Sequence, residues 1–259
     1  MKVKLFQVDA FTDHVFGGNP AAVCLLDSWL SDTMMQHIAS ENNLSETAFI
    51  VRSKEDFEIR WFTPELEIDL CGHATLASAH VIFNHTTYSK NTIRFRYKAG
   101  ILTVINRTPL LTMDFPAISG KPIVVSKQLT NALGKKPKEA FQARDILALF
   151  DAEDDVAQLS PDFAKLSKIN CMGIIATAPG KNVDFVSRFF APKAGINEDP
   201  VTGSAHCMLI PYWAAKTGKI NLEALQISKR MGKLTCAMKG DRVDISGNAV
   251  TYMTGEIDV

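Results

Sequence analysis

The sequence has no excess of either charge: 28 Lys and Arg stand against 28 Asp and Glu across 259 residues. Without a basic field there is no electrostatic footprint for nucleic acid or for an anionic membrane surface, which leaves a small molecule as the default partner. Apolar residues make up 46% of the chain, yet no run of them is long enough to span a bilayer. The amino terminus, MKVKLFQVDAF, alternates like a strand where a signal peptide would carry an apolar run. A cytoplasmic location and no membrane partner are expected. Cysteine is scarce and scattered: Cys24, Cys71, Cys171, Cys207 and Cys236 are odd in number, widely spaced and form no CxxC pair. That argues against both a disulfide framework and a zinc site, so reduced thiols are expected. Also missing are a P-loop, a dinucleotide fingerprint, a metal-ligand cluster and a G-x-S-x-G nucleophile elbow. Phosphoryl and hydride transfer drop out, and neither a cofactor nor a metal is expected.

What is present is enough apolar material for one large domain or two ordinary ones, arranged as strand-like segments interspersed with a few helical ones. Residues 3–9, 22–26, 47–51, 58–62 and 101–105 read as strands. SDTMMQHIASEN, residues 31–42, reads as an amphipathic helix with Ser31 as N-cap, Met34, Met35 and Ile38 inward, and asparagines at its end. The class is therefore α+β.

An internal repeat organises these elements. FEIRWFTPELEI at 57–68 is echoed by FVSRFFAPKAGI at 185–196, so that Arg60 and Arg188, Phe62 and Phe190, Pro64 and Pro192, and Ile68 and Ile196 each differ by 128. Gly100-Ile-Leu-Thr is echoed by Gly232-Lys-Leu-Thr at an offset of 132. The reading is two similar α+β halves: residues 1–117, with the last strand at about 248–259 returning to them, and residues 118–247. The join falls near Phe115-Pro116 to Gly120-Lys121-Pro122, where Pro and Gly cluster. In each half the repeated strand is followed by a helix of small and apolar residues, CGHATLASAHVIF from Cys71 and DPVTGSAHCMLIPYW from Asp199. A helix with no polar face belongs inside its domain, wrapped by strands. Pro211 is expected to kink or shorten the second one. Gly72 and Gly203 at the helix starts let a ligand approach free backbone N–H groups, and two such ends suit a substrate carboxylate.

One acid is out of place. In ENNLSETAFI, residues 41–50, an extended chain puts Glu46 on the same face as Leu44, Ala48 and Ile50. An isolated buried charge is expensive, and burial raises a carboxylate's affinity for protons. From the residues alone Glu46 is either a proton-transfer group or a core acid paired with Arg60 or Arg188. His73 reads either as a cap or as a catalyst, Asp199 as an N-cap of the second helix, and His80 and His206 as structural.

LFQVDAFT, FGGNPAAV, NLSETAF, RWFTP, DLCGHATLA, FFAP, EDPVTGSAH and the closing GNAVTYMTGEI together resemble the phenazine-biosynthesis (PhzF-like) isomerase family over nearly the whole chain. The resemblance implies a diaminopimelate epimerase-like fold, two pseudo-symmetric halves each forming a mixed β barrel around a central helix, with the active site between them. It implies Glu46 as the catalytic acid and base, with His73 and Asp199 facing the substrate. Gly72, His73, Gly203 and Ser204 would cradle a carboxylate. It also implies a cofactor-independent proton shift within a small unsaturated or cyclic carboxylic acid, and a homodimer. An amino-acid epimerase or racemase using the same cleft, and a non-catalytic binding protein, are the alternatives. A two-thiol racemase is disfavoured because Cys71 meets Asp199 at the repeat offset of 128, with Cys207 the only thiol near it. Lys229-Arg230-Met231-Gly232 departs from the family's Gln-Arg-Gly-Gly at this turn.

Overall fold

The computed structural model describes residues 1–259, which divide into two compact units: Met1–Asp114 with Ser246–Val259, and Phe115–Ile245. The first unit contains β1 (Lys2–Ala10), β2 (Asn19–Leu26), α1 (Asp32–Asn42), β3 (Glu46–Ser53), β4 (Asp56–Phe62), β5 (Glu67–Ile68), α2 (Gly72–His85), β6 (Thr92–Tyr97), β7 (Gly100–Arg107) and most of β8 (Leu110–Pro116). The second contains β9 (Lys121–Ile123), α3 (Lys127–Leu133), β10 (Glu139–Gln142), β11 (Ile146–Leu149), α4 (Glu153–Ala157), α5 (Phe163–Leu166), β12 (Ile174–Pro179), β13 (Phe185–Ala191), β14 (Ile196–Asp199), α6 (Gly203–Thr217), β15 (Asn221–Gln226), β16 (Gly232–Lys239) and most of β17 (Arg242–Gly247). The last strand, β18 (Ala249–Asp258), lies against β1 in the first unit.

Both units are built on one pairing scheme. In the first, β1 runs antiparallel to β2, β2 parallel to β3, and β3 antiparallel to β4. There β4 forks, taking β5 antiparallel at its end and β6 parallel at its start. In the second, β10 to β13 repeat these senses, and β13 forks to β14 and β15 in the same way. Each unit's strands surround one helix, α2 or α6, that is buried on nearly every side. Two polar side chains inside α2 are satisfied by the helix itself: Thr75 Oγ1 donates to Cys71 O (2.6 Å) and Ser78 Oγ to Ala74 O (2.7 Å).

Several expectations meet a physical correction. The chain at 44–50 is not a one-faced strand, because β3 begins at Glu46 and its first six residues are all buried. It lies between β2 and β4, with Phe49 packed beside Met35 and Ile38 of α1, and with α2 against it as well. Ser31 does cap α1, accepting from Met34 N at 3.2 Å, and Asn43 ends it in the left-handed region. Met34, however, is exposed, and the inward residues are Met35, Ile38 and Ala39.

Pro211 does not shorten α6, which runs through it to Thr217. Proline has no N–H for the carbonyl of Cys207 four residues back. Ile118 N donates to Cys207 O instead, at 2.8 Å, so the lost helix bond is replaced from a neighbouring segment of the same unit.

The repeat register also slips. Trp61 pairs with Ile68 in the first unit, but its counterpart Phe189 pairs with Asp199, not with Ile196. A short 3₁₀ turn, Pro192–Ala194, and Gly195 in the left-handed region lengthen this turn in the second unit. Across this turn and into the helix the offset becomes 131, so Cys71 corresponds to Thr202, the two residues being the N-caps of α2 and α6.

Candidate active site

Glu46 opens β3, and Ala21 is its partner on β2. Two residues before Ala21, Asn19 opens β2 and is fully buried. His73 is the second residue of α2, and Cys71 is that helix's N-cap. The parallel β2–β3 pair and the start of α2 thus bring four polar groups together, all buried: Glu46 is 7% exposed and His73 4%. His73 Nε2 lies 3.1 Å from Glu46 Oε2. On the other side of the ring, His73 Nδ1 lies 3.1 Å from Asn19 Nδ2 and 3.4 Å from Cys71 Sγ.

The Glu46–His73 contact is at ion-pair distance, but neither atom has a partner in hydrogen-bonding alignment. It is an electrostatic contact that leaves an oxygen and a ring nitrogen directional capacity for a third group. Burial opposes a charged His73, yet its close contacts with Cys71 and Glu46 outweigh burial and hold its pKa well above the usual histidine range. Cys71 is itself pushed up to about 11, by burial first and the Glu46 carboxylate second. Cys71 is therefore a neutral thiol at pH 7. A helix N-terminus ordinarily favours a thiolate, but here desolvation wins.

Neither arginine that sequence offered as a partner is engaged with Glu46. Arg60 donates to Glu67 through Nε and Nη2, both at 2.7 Å, and to Asp32 through Nη1 at 2.8 Å. Arg188 is clamped on Glu198 at 2.7 and 2.8 Å. The counterpart of Glu46 in an ion pair is His73.

No side chain caps the start of α2, so the backbone N–H groups around Gly72 and His73 keep their capacity for an anion. The start of α6 is likewise without a side-chain cap, because its N-cap residue Thr202 turns its hydroxyl to the Asp199 carboxylate. Asp199 is thus not an N-cap; it ends β14, three residues upstream of that position. Gly203 and Ser204 form the first turn of α6. Ser204 Oγ accepts from Arg144 Nη2 at 3.0 Å, and Arg144 in turn is paired with the buried carboxylate of Asp145. The structure therefore brings Glu46, Gly72 and His73 together in the first unit, and Asp199, Gly203 and Ser204 in the second.

Sequence reasoning missed three members: Asn19, Cys71 as a neighbour of His73, and Arg144. Asn19 lies in the quoted FGGNPAAV motif, whose glycines were the available signal; Arg144 sits in a turn with none. His80 and His206 have structural partners, as expected: His80 Nε2 meets Thr251 Oγ1 at 2.9 Å and His206 Nδ1 donates to Thr202 O at 2.8 Å. The turn at Met231 has a backbone reason to prefer glycine, since Met231 adopts φ of 56°.

Glu46, Cys71 and His73 each offer a ligand atom within 4.8 Å of the others. Carboxylate, thiol and imidazole are a zinc-type donor set, so these residues can hold a cation as well as a proton. No helix is long and apolar enough to cross a membrane.

The phenazine biosynthesis-like protein family matches residues 8–255. A Pseudomonas aeruginosa protein named as an uncharacterized isomerase is 49% identical over 257 residues, covering 99% of each chain. A crystal structure of a phenazine biosynthesis protein of the PhzF family from Enterococcus faecalis superposes with a TM-score of 0.99 at 47% identity, over 100% of both chains. A hydroxyproline epimerase from Agrobacterium vitis shares the fold alone, with a TM-score of 0.62 at 10% identity over 99% of this chain and 92% of that one. The α+β fold of these epimerases, duplicated around two central helices, is the fold seen here, and the chain belongs to the phenazine biosynthesis-like PhzF family of isomerases.

Proposed function

We propose that this enzyme is a cofactor-independent isomerase that moves one proton between two carbons of a small unsaturated or cyclic carboxylic acid, with Glu46 as both acid and base. The observation that carries the reading is the buried Glu46–His73 pair, a carboxylate held beside a histidine while both candidate arginines are engaged elsewhere. Glu46 takes a proton from carbon, and the C–H electron pair moves into the conjugated system toward the acid's oxygens. The uncapped N–H groups at Gly72 and His73 stabilise that developing negative charge. The proton on Glu46 then returns to a second carbon on the same face, and burial of Glu46 keeps water from exchanging it first. No atom is gained or lost, so the step needs no co-reactant.

His73 holds or polarises the substrate from the α2 side. We propose a substrate-holding role for Asp199, Gly203 and Ser204 as well, supported by their motif and by the uncapped first turn of α6. An epimerase using two opposed thiols has little support: the counterpart of Cys71 is Thr202, and Cys207 is buried one turn inside α6. A homodimer in the cytoplasm completes the proposal, and sedimentation giving a monomer at micromolar concentration would remove the dimer.

A thermal-shift screen of small unsaturated and cyclic carboxylic acids, followed by proton-shift assays on those that stabilise the protein, identifies the substrate class. Glu46→Gln then tests the mechanism. It should bind the same acids, fold normally and lose turnover. A variant that is unstable but retains normal activity per folded molecule would instead mark Glu46 as structural.

A further inference from the structure

We propose that Gln226 is a positioning residue that holds the Thr202 hydroxyl on Asp199 and off the first turn of α6, so that this turn stays open for a substrate carboxylate. The proposal rests on the reading of Asp199, Gly203 and Ser204 as substrate-holding groups, and it starts from a buried side chain that the proposed chemistry does not use.

Gln226 ends β15, is fully buried, and is fixed from both sides by pairing with Ser187 of β13 and Gly232 of β16. Its carboxamide reaches the segment that leads into α6. Nε2 donates to Asp199 O at 2.8 Å and to Thr202 Oγ1 at 3.2 Å, while Oε1 accepts from Thr202 N at 2.9 Å. The amide cannot sit the other way round, since its hydrogens would then face the Thr202 N–H. Thr202 Oγ1 receives one hydrogen from Gln226 and directs its own to Asp199 Oδ2.

That arrangement withholds a helix cap. Threonine at an N-cap ordinarily turns its oxygen to the N–H of the second or third helical residue, here Ser204 or Ala205. Thr202 makes no such bond.

The first unit supplies the control. Phe57 and Glu58 of β4 pair with Phe95 and Arg96 of β6, as Phe185 and Val186 of β13 pair with Ala224 and Leu225 of β15. Tyr97 is therefore the counterpart of Gln226, and each pairs with the glycine that opens the next strand, Gly100 or Gly232. Tyr97 packs edge-on to the Trp61 ring at 5.6 Å. The N-cap in its unit is Cys71, whose thiol is a weak acceptor and lies 3.4 Å from His73 Nδ1. Cysteine leaves a helix start uncapped without restraint, whereas threonine has to be held away. A side chain that only braced the framework would recur in both units, as the clamps of Arg60 and Arg188 do. Gln226 stands only where the N-cap residue is a capable cap. Ser228 Oγ ties the same segment through Pro200 O at 2.8 Å, so it is the competing explanation for any loss that is merely structural.

The test is calorimetric binding of benzoate, a small cyclic carboxylate, to the whole protein, together with crystal structures of the parent and of Gln226→Met. In Gln226→Met the Thr202 hydroxyl should leave Asp199 for the first turn of α6, and benzoate should bind about fivefold more weakly, the worth of one side-chain cap. Thr202→Val added to that variant should restore the parental affinity, because valine cannot cap. Ser228→Ala should lower the melting temperature and leave benzoate binding unchanged. A hydroxyl still on Asp199 in Gln226→Met overturns the proposal. So does an affinity that stays unchanged when the hydroxyl moves, a loss that Thr202→Val does not recover, or the same loss in Ser228→Ala. Should Gln226→Met fail to fold, Gln226→Glu takes its place: a carboxylate has no hydrogen for Thr202 Oγ1, so the hydroxyl should leave Asp199 there too, and one that stays overturns the proposal. Benzoate that fails to bind the parent overturns the underlying reading of α6 as a carboxylate holder, and the crystal structures then decide separately whether Gln226 directs the Thr202 hydroxyl.

Discussion

The two units share a framework and differ in chemistry. Arg60 on β4 and Arg188 on β13 each make a bidentate clamp on a glutamate two strand positions away, Glu67 and Glu198, and each lies over the ring two residues on, Phe62 at 5.2 Å and Phe190 at 4.9 Å. Even the forked pairing around these strands is repeated. The equality ends at the head of the preceding strand. Thr47 pairs with Phe62 and Ile174 with Phe190, which makes Gly173 the counterpart of Glu46. A Cβ on Gly173 would lie 2.2 Å from the Phe189 ring, so the second unit fills with an aromatic side chain the place where the first holds an acid. Duplication preserved the parts whose job is to hold strands together. The buried Glu46–His73 pair belongs to one copy.

The sharpest way to break this comparison is Glu46→Gln, for which the second unit has no substitute. Turnover should fall by about 100-fold to 10,000-fold or more, the usual worth of a general acid or base, while the melting temperature holds or rises. Rate and melting measured on the same samples check it.

Next comes the arginine pair, which looks equivalent but is not equally embedded. Beyond its clamp, Arg188 Nη1 donates to the carbonyls of Val156 and Leu159 at 3.2 and 2.8 Å, whereas the third partner of Arg60 is the exposed Asp32. Arg188→Ala should cost about 3 kcal/mol, through an orphaned acid and unpaired carbonyls, and Arg60→Ala about 1 kcal/mol. Urea titrations of both variants give the ratio, and equal costs would erase the distinction.

The pH dependence separates the two central helices. Burial pushes His206 of α6 down to about 4, and burial together with nearby His85 does the same to His80 of α2. A histidine depressed in the folded state contributes stability that is full above its unfolded value of about 6.5 and is lost as pH falls toward 4. His206→Leu should flatten that fall by an amount on the order of 3 kcal/mol, seen in urea titrations at pH 7 and pH 4.5. His73 carries the opposite sign: its raised pKa supplies stability at low pH that fades as pH rises through the folded value.

Two smaller effects sharpen the comparison further. Gly173→Ala should cost about 2 kcal/mol by forcing Phe189 to move, again read by urea titration. Met231→Gly should gain about 1 kcal/mol in melting experiments, since glycine relieves the positive φ before β16.

The sequence by itself determined what depends on local pattern. The strand-like apolar segments at 3–9, 22–26 and 58–62 announced strands, and the all-apolar helices from Cys71 and Asp199 announced their own burial. The Ser31 cap was legible because a cap is a contact between near neighbours. The α+β class and the duplicated halves followed from these, with the family resemblance adding the fold. The conflict at Glu46 was visible too, since an acid among apolar residues contradicts its own surroundings. Tertiary structure alone decided which partner resolves that conflict. His73, Asn19 and Cys71 are far from Glu46 in the chain; His73 meets it, with Asn19 and Cys71 against the ring, only through the β2–β3 register and the entry of α2. It also decided the equivalence of Cys71 with Thr202, because an inserted turn shifts the offset without disturbing the flanking motifs. Local propensity is written residue by residue, whereas the distance between two side chains depends on every strand that separates them.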